Sequence, residues 1–501
     1  MKKFDFLIVG SGFSGSITAM ALTNMGYKVR LIEKKEHPRF TIGESSTPIA
    51  DMILRDLADE YDLPFLKNLS RYGDWQNNYP EIICGLKRGF SYYHHKKGER
   101  FQSDEHHSKE LLVAASENDL NSDTNWLRSD VDHFLVKKAV EKGVSYWDQT
   151  EVQKLSRDPK YDNWSVFLMK NQEISEMECK WIIDATGSPN FSTKFFNNRS
   201  SSDGFKTNSS AIFTHFNNAD HWSDYLISNG FKTSDYPYNP DYSALHHLIE
   251  EGWIWMLRFN DDRLSAGILL DETDQEKRFD KDPNKIWDSV ISQYPSLEKL
   301  FKNAIIADPP NQFLKTGRLQ RRLERLFGNG WIALPHTAGF VDPLHSTGIA
   351  HTLSGVETIL NIFRNNENNK SKIKDLNKYQ DKVFNELSVI DLLVSICYRS
   401  RKYFELFTAS SMLYFIASIR YEQRRLKGDI PDTFLCAGDS EIKQIIQETY
   451  IEFQDLFSGS MTDSEISKQV KKIKKRIEPF NTVGLMNSKA NNMYRHTAVE
   501  L

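Results

Sequence analysis

The sequence FDFLIVGSGFSG occupies residues 4–15, close to the start of the chain. Its first half is an apolar run rich in strand-forming residues. Its second half carries the pattern Gly-x-Gly-x-x-Gly at Gly10, Gly12 and Gly15. A stretch of helical periodicity, Ile17 to Met25, follows directly. A strand, a glycine-rich turn and a helix in this order predict the first half of a βαβ unit in a parallel α/β sheet.

The second half of the unit follows. Another apolar run, Val29 to Ile32, ends at Glu33, about 20 residues after the first glycine. Glycines at these positions let the backbone approach a pyrophosphate at the helix N-terminus, and the acid accepts hydrogen bonds from a ribose. The pattern therefore predicts a dinucleotide site. Its expected contacts are Gly10, Gly12, Phe13, Ser14, Gly15, Glu33 and Lys34.

Length and composition limit the class of protein. A chain of 501 residues with a net charge of −4 predicts two to four domains and no nucleic-acid partner. The four cysteines are far apart in sequence, which favours reduced thiols. Asp5 interrupts the first apolar run, so the first residues do not have the pattern of a signal peptide. No stretch approaches the roughly 18 apolar residues of a membrane span. We expect a cytoplasmic protein without a membrane span.

Three later segments favour FAD over NAD. Gly43-Glu44-Ser45 follows a loop that contains Arg39, an apolar strand ends at Asp184 before Gly187, and another strand leads towards Asp342. In this order they resemble the flavin contacts of the two-domain flavoprotein monooxygenase fold, the p-hydroxybenzoate hydroxylase-like fold. The resemblance implies further FAD contacts at Arg39, Glu44, Ser45, Arg128, Asp184, Gly187, Asp342, Gly348 and Ile349.

The rest of the chain suggests how the domains are arranged. We expect a Rossmann-type FAD-binding domain from residues 1–75, 105–190 and 315–372, interleaved with an antiparallel-sheet substrate domain from 76–104 and 191–314. Residues 373–501 show helical periodicity and are expected to cover the substrate site. An aromatic stripe there (Phe404, Phe407, Tyr414 and Phe415) predicts core packing first and a cavity wall second. The basic run 468–476 predicts a solvated helix face, or a docking site for an acidic carrier protein.

Four motifs together resemble the FAD-dependent halogenases, a family that includes tryptophan, pyrrole and phenol halogenases. The glycine-rich start with GESSTP at 43–48 is one, and LKRGFSY at 86–92, which contains Lys87, is another. DPLHSTGI at 342–349 is the third, and the pair Trp253 and Trp255 is the fourth.

The resemblance implies a role for each motif. Reduced FAD and O2 oxidise chloride or bromide to hypohalous acid, and the helix start at Ser346, Thr347 and Gly348 holds the halide. Lys87 then positions the hypohalous acid, or forms a haloamine, and directs it to an electron-rich carbon. His345 stands where tryptophan halogenases carry a glutamate that works with the lysine. It is a candidate catalytic residue and favours a phenolic or pyrrolic substrate, free or carrier-bound, over free tryptophan.

Other functions stay open at this level. The segment Trp253 to Arg258 departs from the family's W-x-W-x-I-P form at Leu257-Arg258, which leaves room for an FAD-dependent aromatic monooxygenase or dehydrogenase of the same fold. A non-catalytic binding protein is a third alternative, which Lys87 and the Ser-Thr-Gly turn disfavour. Because the chain has no second Gly-x-Gly-x-x-Gly, reducing equivalents must come from transient NAD(P)H binding or a separate flavin reductase.

No metal site is expected. The histidines of the pairs at 94–95 and 106–107 are adjacent, and neighbours on a strand point to opposite faces. We therefore predict exposed or loop histidines at these positions.

Overall fold

A computed structural model describes residues 2–158, 163–273, 281–366, 368–456, 460–497 and 499. The strands are β1 (Lys2–Val9), β2 (Val29–Ile32), β3 (Cys84–Lys87), β4 (Gly89–His94), β5 (Glu110–Ala114), β6 (Asp123–Trp126), β7 (Ser145–Trp147), β8 (Thr150–Asp158), β9 (Asn163–Lys170), β10 (Glu173–Asp184), β11 (Ser200–Ser201), β12 (Ser209–Asn217), β13 (Ala244–Ile249), β14 (Gly252–Arg258), β15 (Leu264–Asp271), β16 (Ile305–Ile306), β17 (Leu314–Lys315), β18 (Arg321–Leu323), β19 (Phe327–Gly328), β20 (Trp331–Ala333), β21 (Gly339–Phe340) and β22 (Met493–Tyr494). The α-helices are α1 (Phe13–Asn24), α2 (Pro48–Glu60), α3 (Phe65–Asn68), α4 (Tyr72–Asn78), α5 (Arg128–Glu141), α6 (Asn190–Phe195), α7 (Trp222–Ser228), α8 (Pro283–Ile291), α9 (Pro295–Phe301), α10 (Pro335–Ala338), α11 (Thr347–Asn365), α12 (Asn369–Ser400), α13 (Phe404–Leu426), α14 (Ser440–Leu456) and α15 (Asp463–Ile477).

The first sheet holds the nucleotide-binding segments. Its strand order is β19-β20-β10-β1-β2-β7, with the β8–β9 hairpin added to β10. The pairs β1–β2, β1–β10, β10–β20 and β2–β7 are parallel. In the central strand β1, Phe6, Leu7 and Ile8 are buried, as the continuous apolar run requires when both faces of a parallel sheet are covered. The parallel α/β class is confirmed.

The second sheet is largely antiparallel, with the order β16-β12-β15-β14-β13-β4-β5-β22 and β17 beside β12. Its β14–β15 hairpin is paired from Gly252 with Leu270 to Arg258 with Leu264. Strand β5 belongs to this sheet, although it lies within the range expected for the FAD-binding domain. The proposed division into domains remains a prediction.

A two-stranded ribbon, β3 with β6, connects the two parts. Lys87 pairs with Asp123 and Gly85 pairs with Asn125 in an antiparallel register. Ser45 forms an isolated bridge with Asn125, so the ribbon reaches the Gly43-Glu44-Ser45 segment.

The helices α12 to α15 follow the sheets, and α12 begins at Asn369, slightly before the predicted start of the helical region. The aromatic residues Phe404, Phe407, Tyr414 and Phe415 of α13 are all buried, which confirms the prediction of core packing. Within the described ranges, no helix is both long enough and apolar enough to cross a bilayer.

The expectation of exposed or loop histidines is wrong for His94, which is half-buried in β4, whereas His95 and His107 lie in loops as expected but are buried. His95 Nε2 lies 2.9 Å from His247 Nδ1, and His107 Nδ1 lies 2.6 Å from Glu110 Oε1. A ring with a hydrogen-bonding partner can be buried, and sequence neighbours do not reveal such distant partners. The described part of the chain contains no cluster of three or more metal-ligating side chains.

Candidate active site

The glycine-rich turn between β1 and α1 is built for close backbone contact. Gly10 has φ +102°, and a Cβ there would stand 2.5 Å from the Ala185 carbonyl oxygen. A Cβ on Gly15 would stand 2.0 Å from the carbonyl oxygen of Gly10. Only glycine fits at either position. The predicted contact Ser14 is buried inside α1, where its carbonyl accepts a hydrogen bond from Thr18 Oγ1 at 2.7 Å.

Two arginines face the start of α1. A Cβ on Gly12 would meet Arg128 Nη2 at 3.3 Å and Arg39 Nη2 at 3.7 Å. Asp132 orients Arg128 through two hydrogen bonds of 3.0 and 2.9 Å, and it also accepts the Phe13 backbone N–H at 3.0 Å. Two guanidinium groups at a helix N-terminus form an anion site, so these residues fit the pyrophosphate of FAD.

Glu33 lies at the carboxyl end of β2, as the motif requires. Its Oε2 accepts hydrogen bonds from the Ser11 N–H and hydroxyl, both at 3.2 Å, and lies 3.2 Å from Arg39 Nη2. Burial would raise the pKa of Glu33, but the charge of Arg39 and the backbone donors lower it below its usual value. The carboxylate is therefore held charged in the turn. The predicted contact Lys34 points elsewhere, since its ammonium pairs with Glu151 at 3.0 Å on the surface.

The segment expected at the flavin ring runs beside β6. The Trp126 N–H donates to the Glu44 carbonyl at 2.6 Å, while His215 Nε2 lies 2.8 Å from Glu44 Oε1. Within the described structure, Ser45 Oγ and both polar atoms of the Asn125 side chain are buried without a hydrogen-bond partner. Buried polar groups are normally satisfied. These atoms therefore fit the polar groups of a bound flavin.

Hydrogen bonds to the Asp184 carboxylate fix the turn after β10. Asp184 accepts hydrogen bonds from the Thr186 N–H and hydroxyl and from Ser192 Oγ, and burial raises its pKa to about 6. Arg321 donates to the Gly187 carbonyl at 2.8 Å and to the His336 carbonyl at 2.9 Å. This arrangement ties the turn to α10. A direct contact of Asp184 or Gly187 with FAD remains a prediction.

The predicted halide site is the start of α11. Ser346 adopts a left-handed backbone conformation with φ +51° and precedes the first helical residue, Thr347. A Cβ on Gly348 would meet nothing within 4 Å, so the helix faces open space there. The first N–H groups of a helix have no acceptor within the helix, which suits an anion. Ile349, the next residue, is buried and anchors the turn in the core.

Asp342 holds the loop before α11. Its Oδ2 accepts hydrogen bonds from Ser209 Oγ at 2.7 Å and Tyr398 OH at 2.8 Å, and Oδ1 accepts the Leu344 N–H at 3.1 Å. Burial raises the pKa of Asp342 to about 6. The Trp253 indole N–H donates to Tyr398 OH at 3.0 Å, which links the tryptophan signature to this loop.

The second signature residue, Trp255, packs against the strand beside it. Its ring fills the space where a Cβ on Gly267 would be, at 2.2 Å, and its N–H donates to Ser265 Oγ at 3.2 Å. Arg258, which replaces the proline of the family signature, turns away to bind the Ala219 and Asp220 carbonyls at 3.1 and 3.0 Å.

Lys87 is completely buried at the end of β3. Its ammonium lies 3.2 Å from Asp123 Oδ2 and 4.3 Å from the centroid of the Phe90 ring. Residues 123 and 125 face the same side of β6, about 7 Å apart along the strand. The ribbon therefore places Lys87 beside Asn125 and the segment expected at the flavin ring.

His345 lies behind the same aromatic layer. Its ring stacks on Tyr414 with centroids 4.4 Å apart, and Tyr414 in turn meets the Phe90 ring edge-on at 5.9 Å. Burial, with a contribution from His246, lowers the pKa of His345 to about 3, so the ring is neutral at physiological pH. The structure thus brings Lys87 and His345 to one site, separated by aromatic rings.

Comparison with known proteins identifies the family. The sequence profile described as "Tryptophan halogenase" matches residues 127–404, more than half of the chain. The chain belongs to the tryptophan halogenase family. It is a flavin-dependent halogenase, an enzyme that uses FAD and a halide. Residues 8–50 also match a profile of the NAD(P)-binding Rossmann-like domain, as the first βαβ unit predicts.

Curated relatives of this halogenase act on different compounds. It is 26% identical to the monodechloroaminopyrrolnitrin halogenase PrnC of Pseudomonas fluorescens over 94% of this chain and 84% of that protein. It is also 26% identical to the tetracycline 7-halogenase of Kitasatospora aureofaciens over 70% of this chain and 61% of that protein. A 1H-pyrrole-2-carbonyl-[peptidyl-carrier protein] brominase of Pseudoalteromonas luteoviolacea is 24% identical over 70% of this chain and 75% of that protein.

Solved structures confirm the fold of this halogenase. The halogenase PltM in complex with phloroglucinol and FAD superposes with a TM-score of 0.85 at 20% identity, over 98% of this chain and 99% of that one. The brominase Bmp2 gives a TM-score of 0.64 at 20% identity, over 91% of this chain and 100% of that one.

The sequence motifs do not include several residues that build the site of this halogenase. Asp123 pairs with Lys87, and Asn125 offers its unsatisfied amide near Ser45. Three of the four residues of β6 are polar, so no alternation of polar and apolar residues marks this strand in the sequence. Tyr398 comes from a distant helix, and no local pattern indicates its bond to Asp342.

Proposed function

We propose that this halogenase transfers chlorine or bromine, by way of hypohalous acid, to an electron-rich phenolic or pyrrolic compound. The observation that carries the proposal is the buried Lys87, positioned by Asp123 on the ribbon that also carries Asn125. A solvated surface lysine would contribute a charge only. An enclosed ammonium can instead hold one small oxidant and keep it away from water.

The residues at the two ends of the site have different roles in the reaction. FAD, when bound and reduced, supplies the O2-dependent oxidation of halide. Thr347 and Gly348 offer backbone N–H groups to the halide, and Ser346 shapes the turn that exposes them. Lys87 donates hydrogen bonds to the hypohalous acid, and the Phe90 and Tyr414 rings exclude water around it.

His345 has a positioning role in this proposal. The neutral ring stacks on Tyr414 and fixes the aromatic layer next to Lys87. It carries no charge that could pair with the ammonium of a free amino acid. This supports an aromatic substrate other than free tryptophan.

The proposal extends to partners and location. A separate flavin reductase supplies the reduced cofactor. The exposed lysines of α15, Lys468, Lys471, Lys474 and Lys475, form a surface that an acidic carrier protein could use, which a brominase of carrier-bound pyrrole among the relatives supports. The location is cytoplasmic, in accord with four cysteines that are free and buried.

One experiment tests the reaction. The FAD-loaded enzyme is reduced without oxygen and then mixed with O2, bromide and an activated phenol, and the products are analysed by mass spectrometry. We expect a brominated phenol that disappears when bromide is left out. A hydroxylated phenol formed without any halide would contradict the proposal and support a monooxygenase.

A further inference from the structure

Asp123, the partner of Lys87, is also a wall of a cavity of about 390 Å³. This volume is within the range of about 300–1,000 Å³ that small-molecule sites occupy. The cavity therefore borders the carboxylate that pairs with the lysine to which the proposed chemistry assigns halogen transfer.

The cavity has a charged end. Helix α2 contributes Arg55, the residue before α4 contributes Arg71, and α13 contributes Glu422. His496, just after β22, is part of another wall. The C-terminal tail is held there because Thr497 Oγ1 donates to the Ala114 carbonyl at 2.6 Å.

Two arginines of the cavity wall lack a bonded partner in the part of the chain that the structure describes. Among the residues that the structure describes, neither the Arg55 nor the Arg71 guanidinium makes a salt bridge or a hydrogen bond, yet both are half-buried and face the cavity. Other arginines of the chain form ion pairs: Arg88 Nη1 bonds Asp119 at 2.6 Å, and Arg128 bonds Asp132. Burial lowers the pKa of Arg55, the neighbouring Asp51 raises it, and the charge of Arg71 lowers it again.

Three of the four acidic residues that line the cavity contribute little charge to it, and the fourth, Glu117, is exposed and forms no ion pair with either arginine within the described structure. Burial and the Asp123 carboxylate raise the pKa of Asp51 well above its usual value, and burial raises the pKa of Glu422 to about 8. Asp123 itself is paired with Lys87. Two guanidinium groups are thus left to attract an anion, and each presents a fork of donors that matches an oxyanion.

We propose that Arg55 and Arg71 bind an anionic group of the substrate, so that its aromatic ring is presented to Lys87. The anion is a carboxylate on a free aromatic acid or the phosphate of a carrier arm, which share the same oxyanion chemistry. This inference rests on the proposed function, because it assigns the cavity to the substrate of that reaction. Arg55 and Arg71 are specificity-determining residues in it.

Binding tests the inference without turnover. Oxidised FAD-loaded enzyme is titrated with 4-hydroxybenzoate and with 4-hydroxybenzamide, which differ in charge and scarcely in shape, and with phosphopantetheine. We expect the wild type to bind at least one of the two anions about tenfold or more tightly than the neutral amide. Arg55→Gln and Arg71→Gln should each remove that preference, whereas Arg71→Lys should retain part of it.

The control is Arg100→Gln, which removes an exposed arginine outside the cavity. A preference for 4-hydroxybenzoate identifies a free aromatic acid, and a preference for phosphopantetheine identifies a carrier arm. Equal binding of anions and amide, or a preference that survives in both glutamine variants, would overturn the inference. These titrations need no halide or oxygen, so their result does not depend on whether the enzyme halogenates. Conversely, if the wild type shows no preference for anions, the proposed halogenation of neutral phenols still stands.

Discussion

The Lys87 ammonium and the Asp123 carboxylate lie 3.2 Å apart, and both side chains are buried. A buried charge without its partner is costly, so the two residues are energetically coupled. Their register on the β3–β6 ribbon fixes the direction of the lysine towards the Phe90 ring.

This coupling predicts two separable effects of Lys87→Met. Halogenation should be lost, and the unpaired Asp123 should cost about 3–5 kcal/mol of unfolding free energy. The double variant Lys87→Met/Asp123→Asn should recover most of the stability but none of the product. Chemical denaturation and mass spectrometry of the product measure the two effects. More than a few per cent of product in either variant would remove Lys87 from the mechanism.

At Gly348 the open space allows a steric test of the halide site. Gly348→Val should fold normally, because a Cβ there meets nothing within 4 Å, but it should raise the halide concentration needed for turnover or abolish turnover. Gly317→Val is the matched control, since that glycine also has open space around it and no positive φ. An unchanged halide dependence in Gly348→Val would place the halide elsewhere.

For Glu422 the structure predicts a pH-dependent stability. Burial raises its folded pKa from 4.5 to about 8, so its neutral form stabilises the folded state at low pH. This contribution to the free energy of unfolding is lost progressively as the pH rises from the pKa of Glu422 in the unfolded state to its pKa in the folded state. Glu422→Gln should flatten this part of the stability curve, measured by denaturation at several pH values. An identical slope in wild type and variant would show that Glu422 ionises normally.

The Glu33 carboxylate should contribute to cofactor affinity. Glu33→Gln keeps the shape of the side chain but loses the charge that binds Ser11 and Arg39, so FAD should bind about tenfold more weakly. Flavin fluorescence measures the dissociation constant. Glu151→Gln, which disrupts only the surface pair with Lys34, is expected to bind FAD like the wild type. Equal affinity in the Glu33 variant would argue against its ribose contact.

On the surface of α15, charge reversal tests carrier docking. Lys471→Glu/Lys475→Glu is suitable because both side chains are exposed, whereas Lys472 pairs with Glu452 at 3.4 Å and supports the helix packing. Turnover of a free phenol should be unchanged in this variant, and turnover of a carrier-bound substrate should fall at low salt. Equal turnover of both substrates would leave the basic run as a solvated surface.

The sequence by itself determined the α/β class, the dinucleotide site and the family. These features depend on local patterns: Gly10, Gly12 and Gly15 need no distant partner to specify a tight turn, and Glu33 follows at a fixed spacing. The identity of Lys87 as a candidate came from its motif.

Only the tertiary structure decided what surrounds that lysine. Asp123 is its partner because β3 and β6 pair in one particular register, and Tyr414 comes from a helix more than 300 residues further along the chain. Arg55 and Arg71, which form no ion pair within the described residues, look like ordinary surface residues in the sequence. Whether a charged side chain has a partner depends on long-range packing, which local periodicity does not encode. The cavity proposed for the substrate therefore emerged only from the fold.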